Sequence, residues 1–221
     1  MKFKLSKNIF LIVLFFLANI VVSCKKEEDK DSSAYEDKVI PSASYIISGK
    51  IEKVYQINSM NADEIRVYGE KNYLLATCSI SSDGQFRVAL PIPPSDYLDS
   101  VNKGTPPTGL NISNKAAKGV KIKLIAYKKG QEVGAVEKLK TEENVVYQNQ
   151  YIYIDSNNIL TGGYSLTEND IEYEFIYNEN LKKGWNLVLT TMSKEKNNEN
   201  KIITQYETDK KEPGGMTWVI W

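Results

Sequence analysis

The chain has 221 residues, with 28 basic and 28 acidic side chains, 42% hydrophobic residues and no histidine. Balanced, interspersed charge excludes the electrostatic footprint of a nucleic-acid-binding protein. The missing imidazole excludes Ser-His-Asp and Cys-His mechanisms, and with only two cysteines it also excludes zinc sites built on His or paired Cys. With Arg66 and Arg87 as the only arginines, a guanidinium cluster for phosphate or carboxylate has no basis.

At the start of the chain Lys2, Lys4 and Lys7 precede an apolar run from Ile9 to Val22, broken by Asn19 and followed by Ser23 and Cys24. A charged start, an apolar segment shorter than the roughly 20 residues that span a bilayer, and a small residue before the cut predict a secretory signal over residues 1–23. An uncleaved anchor is the rival reading. The run Val21-Val22-Ser23-Cys24 resembles the lipobox of bacterial lipoproteins. That resemblance implies cleavage between Ser23 and Cys24 and acylation of Cys24 with palmitate-like chains, more than one of which gives stable membrane anchoring. Lys26, Glu27 and Glu28 resemble the surface-export signal of Bacteroidetes-type lipoproteins, which implies an outer-membrane protein exposed at the cell surface. A charged, self-repelling tether is the alternative, since such linkers extend.

Loss of the three signal lysines leaves 25 basic against 28 acidic side chains, a net −3. If Cys24 carries lipid, Cys78 has no partner and no disulfide holds the fold. In the apolar setting of residues 73–80 it reads as a small core residue. Residues 24–42, rich in Lys, Glu, Asp and Ser, are too polar to offset their own ordering entropy and read as a lipidated flexible stalk.

From Tyr45 onward, short runs of β-branched and aromatic residues alternate with Gly, Asn, Asp and Pro, the pattern of strands and turns. Strands are expected over Tyr45 to Val54, Glu64 to Tyr68, Tyr73 to Ile80 and Gln85 to Leu90, with Ser82-Asp83-Gly84 turning between the last two. Phe86, Val88 and Leu90 share a face opposite Gln85 and Arg87. Residues 43–95 thus form a first β-sandwich block. Its Gly49-Lys50-Ile51 opening, Ile65-Arg66-Val67-Tyr68 strand and Ser82 to Phe86 hairpin resemble transthyretin-like and carboxypeptidase-regulatory-like domains.

Prolines 91, 93, 94, 106 and 107 exclude a central strand between Pro91 and Lys118, and residues 96–118 are expected to be a loop or linker. In the second block, 119–221, Val120, Ile122 and Leu124 alternate with Lys121 and Lys123. Further strands are expected over Glu132 to Leu139, Val145 to Ile154, Ile171 to Tyr177, Trp185 to Met192, Lys201 to Tyr206 and Thr217 to Trp221. The fold class is all-β, an antiparallel β-sandwich of immunoglobulin or transthyretin-like type, either one elaborated domain or two small ones.

Four constellations carry conceivable chemistry. Asp155-Ser156-Asn157-Asn158 offers oxygen ligands for a hard cation but lacks EF-hand spacing and reads as an Asx-rich turn. Gly162-Gly163 reads as a turn, with no helix after it to make a phosphate cradle. Glu172 and Glu174 sit on one strand face, where a glycosidase pair would flank its substrate instead. Tyr151, Tyr153 and Trp185 are the candidate ligand-binding aromatics, and each has a core reading as its rival.

The sequence therefore predicts a non-catalytic, lipid-anchored binding or assembly component of the cell envelope, with a glycan, peptide or envelope protein as partner. No catalytic residue, cofactor or metal is expected. The alternative is a histidine-independent hydrolase acting on glycan or peptide through Asp/Glu or Ser/Lys groups. Oligomeric state is not legible.

Overall fold

The computed structural model describes residues 45–55, 61–101, 106–195 and 198–221. Ser23, Cys24, Lys26, Glu27 and Glu28 lie outside the described residues. Fifteen strands run in chain order: β1 Tyr45–Val54, β2 Glu64–Tyr68, β3 Leu74–Ser79, β4 Gln85–Leu90, β5 Asp99–Ser100, β6 Leu110–Ile112, β7 Lys118–Lys121, β8 Lys123–Lys128, β9 Gln131–Glu142, β10 Val145–Ile154, β11 Asn158–Glu168, β12 Ile171–Leu181, β13 Gly184–Glu195, β14 Asn198–Glu207 and β15 Thr217–Ile220. The described residues are all-β, and their only helical pieces are single 3-10 turns at Glu70–Asn72 and Ser95–Tyr97.

The strands form one large open sheet whose main path is β3-β2-β8-β9-β10-β13-β14-β12-β11-β6. Pairing is antiparallel throughout except for β1 with β15 and β12 with β14. Strand β9 organises the branch point. Its first half pairs with β8, Val136 to Leu139 pair with β15 on the other edge, and Leu139 to Glu142 pair with β10. The segment β7–β8 is shared in the same way, β8 pairing with β9 while β7 bends away to pair with β10.

Alternation explains which residues go inside. In β4, Phe86, Val88 and Leu90 are buried while Gln85 and Arg87 are exposed, as a period of two requires. They join Ile47 of β1, Ile65 and Val67 of β2, Leu124 and Ala126 of β8, and Trp218 and Ile220 of β15 in the larger core. Each fully buried Ile, Val or Leu contributes about 1.5 to 3 kcal/mol. A second core gathers Ala117, Ile154, Leu160, Leu181 and Val188 on the opposite face of β10 and its neighbours.

Two expectations needed correction. Asn158 to Glu168 is a full strand, and Gly162-Gly163 lies inside it instead of forming a turn. The glycines are there because backbone comes close on both sides: a β-carbon at 162 would collide with the Gly109 carbonyl oxygen, and one at 163 with that of Phe175. The proline-rich stretch also contributes two short edge strands, β5 and β6, whose pairing avoids the prolines.

Candidate functional site

Lys121 is the last residue of β7 and pairs with Ile152 of β10, so both side chains emerge on the same face. On the far side of the sheet Ile112 of β6 pairs with Leu160 of β11, which pairs with Glu179 of β12. Four strand steps separate β7 from β12 along β10, β13 and β14. On a flat sheet that is about 19 Å at the usual strand spacing. Lys121 and Glu179 nevertheless interact electrostatically, and Ile112 and Ile152 line the same cleft. The sheet therefore curls, and these side chains occupy its concave face.

The cleft has a volume of about 410 Å³ and is lined by Val101, Pro107, Leu110, Ile112 and Ile152 together with the polar side chains of Lys121, Glu70, Asp99 and Ser100. Lys121 keeps solvent contact there, yet the surrounding protein pushes its ammonium below the ordinary lysine range, against the pull of Glu137, Glu70 and Glu179. Glu179 is only 4% exposed. Burial pushes its carboxyl up to about 7, with Lys121 acting the other way. Glu137 is raised by burial as well, opposed by Trp221, Lys121 and Gln148.

Aromatic side chains extend this face. Tyr177 of β12 and Tyr206 of β14 stack with ring centroids 4.8 Å apart, and Tyr164 stacks on Phe175 at 5.1 Å. Both Tyr177 and Tyr206 are held in the neutral form, chiefly by burial. Thr190 pairs with Tyr206, and its buried Oγ1 has no hydrogen-bond partner.

Glu179 and Lys121 both escaped the sequence reading. Lys121 was legible only as a polar strand position between Val120 and Ile122, and Glu179 lay beyond the expected end of its strand at Tyr177, whereas β12 runs on to Leu181. The curl that turns these positions inward is a long-range property. A carboxyl in the alternation Tyr173, Phe175, Tyr177, Glu179, Leu181 was the available signal.

The aromatics singled out from sequence lie on the other face of β10. Tyr151 and Tyr153 are 8% and 6% exposed. Tyr151 meets Tyr45 edge-on at 6.0 Å, Tyr153 meets Trp185 edge-on at 5.4 Å, and the half-buried Trp185 donates its indole N–H to the Pro91 carbonyl at 3.1 Å. Tyr151 belongs to the larger core, and Trp185, which packs against that core, holds Tyr153 beside it.

The Asx-rich segment is a structural hub. Asn158 Oδ1 accepts hydrogen bonds from Ser113 Oγ at 3.1 Å and the Asn114 N–H at 2.9 Å, and its Nδ2 donates to the Asn114 carbonyl at 3.1 Å. Asp155 Oδ1 accepts from the Lys118 N–H, and Asn157 Oδ1 from the Lys183 N–H. Those oxygens hold backbone. Among the described residues no three His, Cys, Asp or Glu side chains converge to hold a metal.

Glu172 and Glu174 are both held by Lys201 of the neighbouring parallel strand, at 3.2 and 3.0 Å. The half-buried Cys78 has its thiol raised by burial, which keeps it protonated and unreactive.

The chain matches no family model, no curated protein and no solved structure.

Proposed function

We propose that this chain is a lipid-anchored envelope lipoprotein whose β-domain binds its partner without catalysis, through the cleft on the concave face of the sheet. The single observation that carries the binding reading is the cleft itself: apolar walls from Val101, Pro107, Leu110, Ile112 and Ile152 beside the polar side chains of Lys121, Glu70, Asp99 and Ser100. Concave, largely apolar sites with a few placed polar groups are where proteins bind small ligands and chain ends. The anchor rests on Val21-Val22-Ser23-Cys24, and surface exposure on Lys26, Glu27 and Glu28. A short glycan or an extended peptide is the partner class.

The first block we read as an antiparallel sandwich of transthyretin-like type. Packing of β1 and β4 against β2 and β8 around Ile47, Val67 and Val88 supports that reading.

The hydrolase alternative draws on one observation, Glu179, because a carboxyl that titrates near neutrality is suited to general acid catalysis. Against it, the paired carboxylates at Glu172 and Glu174 are neutralised by Lys201. A panel of surface glycans and short peptides separates the two readings. Saturable binding without turnover, weakened by Ile112→Asp in the cleft wall, is the expected result. Turnover of any panel member that Glu179→Gln abolishes would replace binding with catalysis.

A further inference from the structure

Strand β6 ends the main path of the sheet, and β5 ends the branch that leaves β10 through β7. Both line the cleft, β5 through Asp99 and Ser100 and β6 through Leu110 and Ile112. The edge of β6 has bonding capacity to spare. The Gly163 N–H donates to the Gly109 carbonyl at 3.1 Å, and the Ser113 N–H donates to the Ile159 carbonyl at 3.0 Å. Antiparallel alternation therefore turns the main-chain groups of Gly109, Asn111 and Ser113 toward β11, and those of Leu110 and Ile112 away from it. The Leu110 N–H is taken by the Pro107 carbonyl at 3.1 Å. The Leu110 carbonyl and both main-chain groups of Ile112 are left, and no strand among the described residues pairs with them.

A groove lies on each face of this edge. The cleft takes the side of Leu110 and Ile112, and a second groove of about 290 Å³ takes the side of Asn111 and its strand partner Thr161. Resting on the reading of the cleft as a binding site, we infer that the partner is an extended peptide that adds a strand to the free edge of β6 and sends alternate side chains into the two grooves. An extended chain suits this edge because its side chains leave opposite faces with a period of two while its amides stay in the plane of the sheet. Among the described residues no aromatic side chain lines either groove, so a sugar ring has no face to stack on. Charge sets the chemistry of the peptide. Lys115 is exposed and is the one charged side chain among the described residues lining the second groove, so the peptide residue placed there is acidic. Val101 and Ile152 line the cleft beside Leu110 and Ile112, so the residues on either side of that acid are aliphatic.

The test is calorimetry of the full chain in non-ionic detergent with the capped peptide acetyl-Thr-Val-Glu-Val-Glu-Thr-amide. Two companions separate main-chain from side-chain recognition: the same peptide N-methylated at its central amides, and the same peptide with lysine in place of each glutamate. The parent peptide is expected to bind saturably and each companion at least tenfold more weakly. Ile112→Pro removes the outward N–H and leaves the bonds between β6 and β11 in place, so it is expected to weaken the parent peptide at least tenfold while near-ultraviolet circular dichroism stays native. Lys115→Glu keeps the proposal testable if Ile112→Pro does not fold, and it is expected to reverse the preference between the glutamate and lysine peptides. No binding of the parent peptide, equal binding of the N-methylated one, undiminished binding by a folded Ile112→Pro, or an unchanged preference in Lys115→Glu would each overturn the strand addition. So would a dimer of the full chain that Ile112→Pro dissolves, because the edge would then pair with a second copy. A glycan that binds the cleft where no peptide does would overturn the strand addition and leave the cleft as a binding site, whereas failure of both classes would remove the cleft as well.

Discussion

The indole of Trp218 fills the space over Gly49: a β-carbon at position 49 would collide with Nε1 and Cδ1 of Trp218. Trp218 cannot move aside, because it is buried and meets Phe86 edge-on at 4.9 Å. Its strand β15 runs parallel to β1, with Trp218 paired to Ile51. The C-terminal strand is thereby locked into the first block through one missing side chain.

Gly49→Ala is accordingly expected to destabilise the fold by about 3 kcal/mol, the upper part of the range for overpacking a close-packed core. The unfolding midpoint in urea measures it. A variant as stable as the wild type would show that Trp218 has room the structure does not give it.

Tyr151→Ala and Tyr153→Ala probe the other face of β10. Both rings are buried, Tyr151 in the larger core and Tyr153 edge-on against Trp185, and truncating such an aromatic costs about 3 to 5 kcal/mol. Thermal unfolding of each variant should show a clear drop in midpoint. Native-like stability in both would make this face the place to look for a ligand.

A pH dependence follows from Glu179. Its carboxyl ordinarily titrates near 4.5 and is pushed up to about 7 in the fold. Between those values the folded chain holds a proton that the unfolded chain has released, so stability falls as pH rises through the window. The loss by pH 8 is on the order of 3 kcal/mol for a shift of this size. Glu137, raised in the same direction, adds to it, and Lys121 moderates both. Urea midpoints at pH 5 and pH 8 should differ in that sense for the wild type and differ less for Glu179→Gln. Equal slopes in the two proteins would mean that Glu179 ionises freely.

At the N-terminus, Cys24→Ala should leave a larger precursor without fatty-acid label, because in the lipoprotein we propose the Cys24 thiol would be the acyl acceptor. Replacing Lys26, Glu27 and Glu28 with alanine should leave the protein lipidated but hide it from protease added to intact cells. Normal labelling of the first variant would sink the lipoprotein reading. Unchanged protease access in the second would reduce the acidic segment to a tether.

Strands with strong local patterns were legible residue by residue. Tyr45–Val54, Glu64–Tyr68, Gln85–Leu90 and Val145–Ile154 are where alternation and bounding turn residues place them. Asn158–Glu168 was not, because its glycines answer to Gly109 and Phe175, residues far away in sequence, and in one dimension they look like a turn. The extended pairing of β12 beyond Tyr177 was hidden likewise, since Asn178 and Asn180 suggest a loop while β11 and β14 hold them in the sheet. Strand β11 bears on the cleft because β6, which supplies Leu110 and Ile112 to its wall, pairs with it. The cleft was illegible because Val101, Pro107, Leu110 and Ile112 of its wall lie in the stretch expected to be a loop or linker.

The account stands most directly on where a partner touches the protein. Amide chemical shifts of the isotope-labelled chain, followed as the best-binding member of the glycan and peptide panel is added, locate that contact. The expected perturbation is saturable and centred on Val101, Ile112, Lys121 and Ile152, and it disappears in Ile112→Asp. Shifts centred instead on Trp185 and its neighbours on the opposite face, or shifts that persist in Ile112→Asp, would contradict the cleft as the binding site.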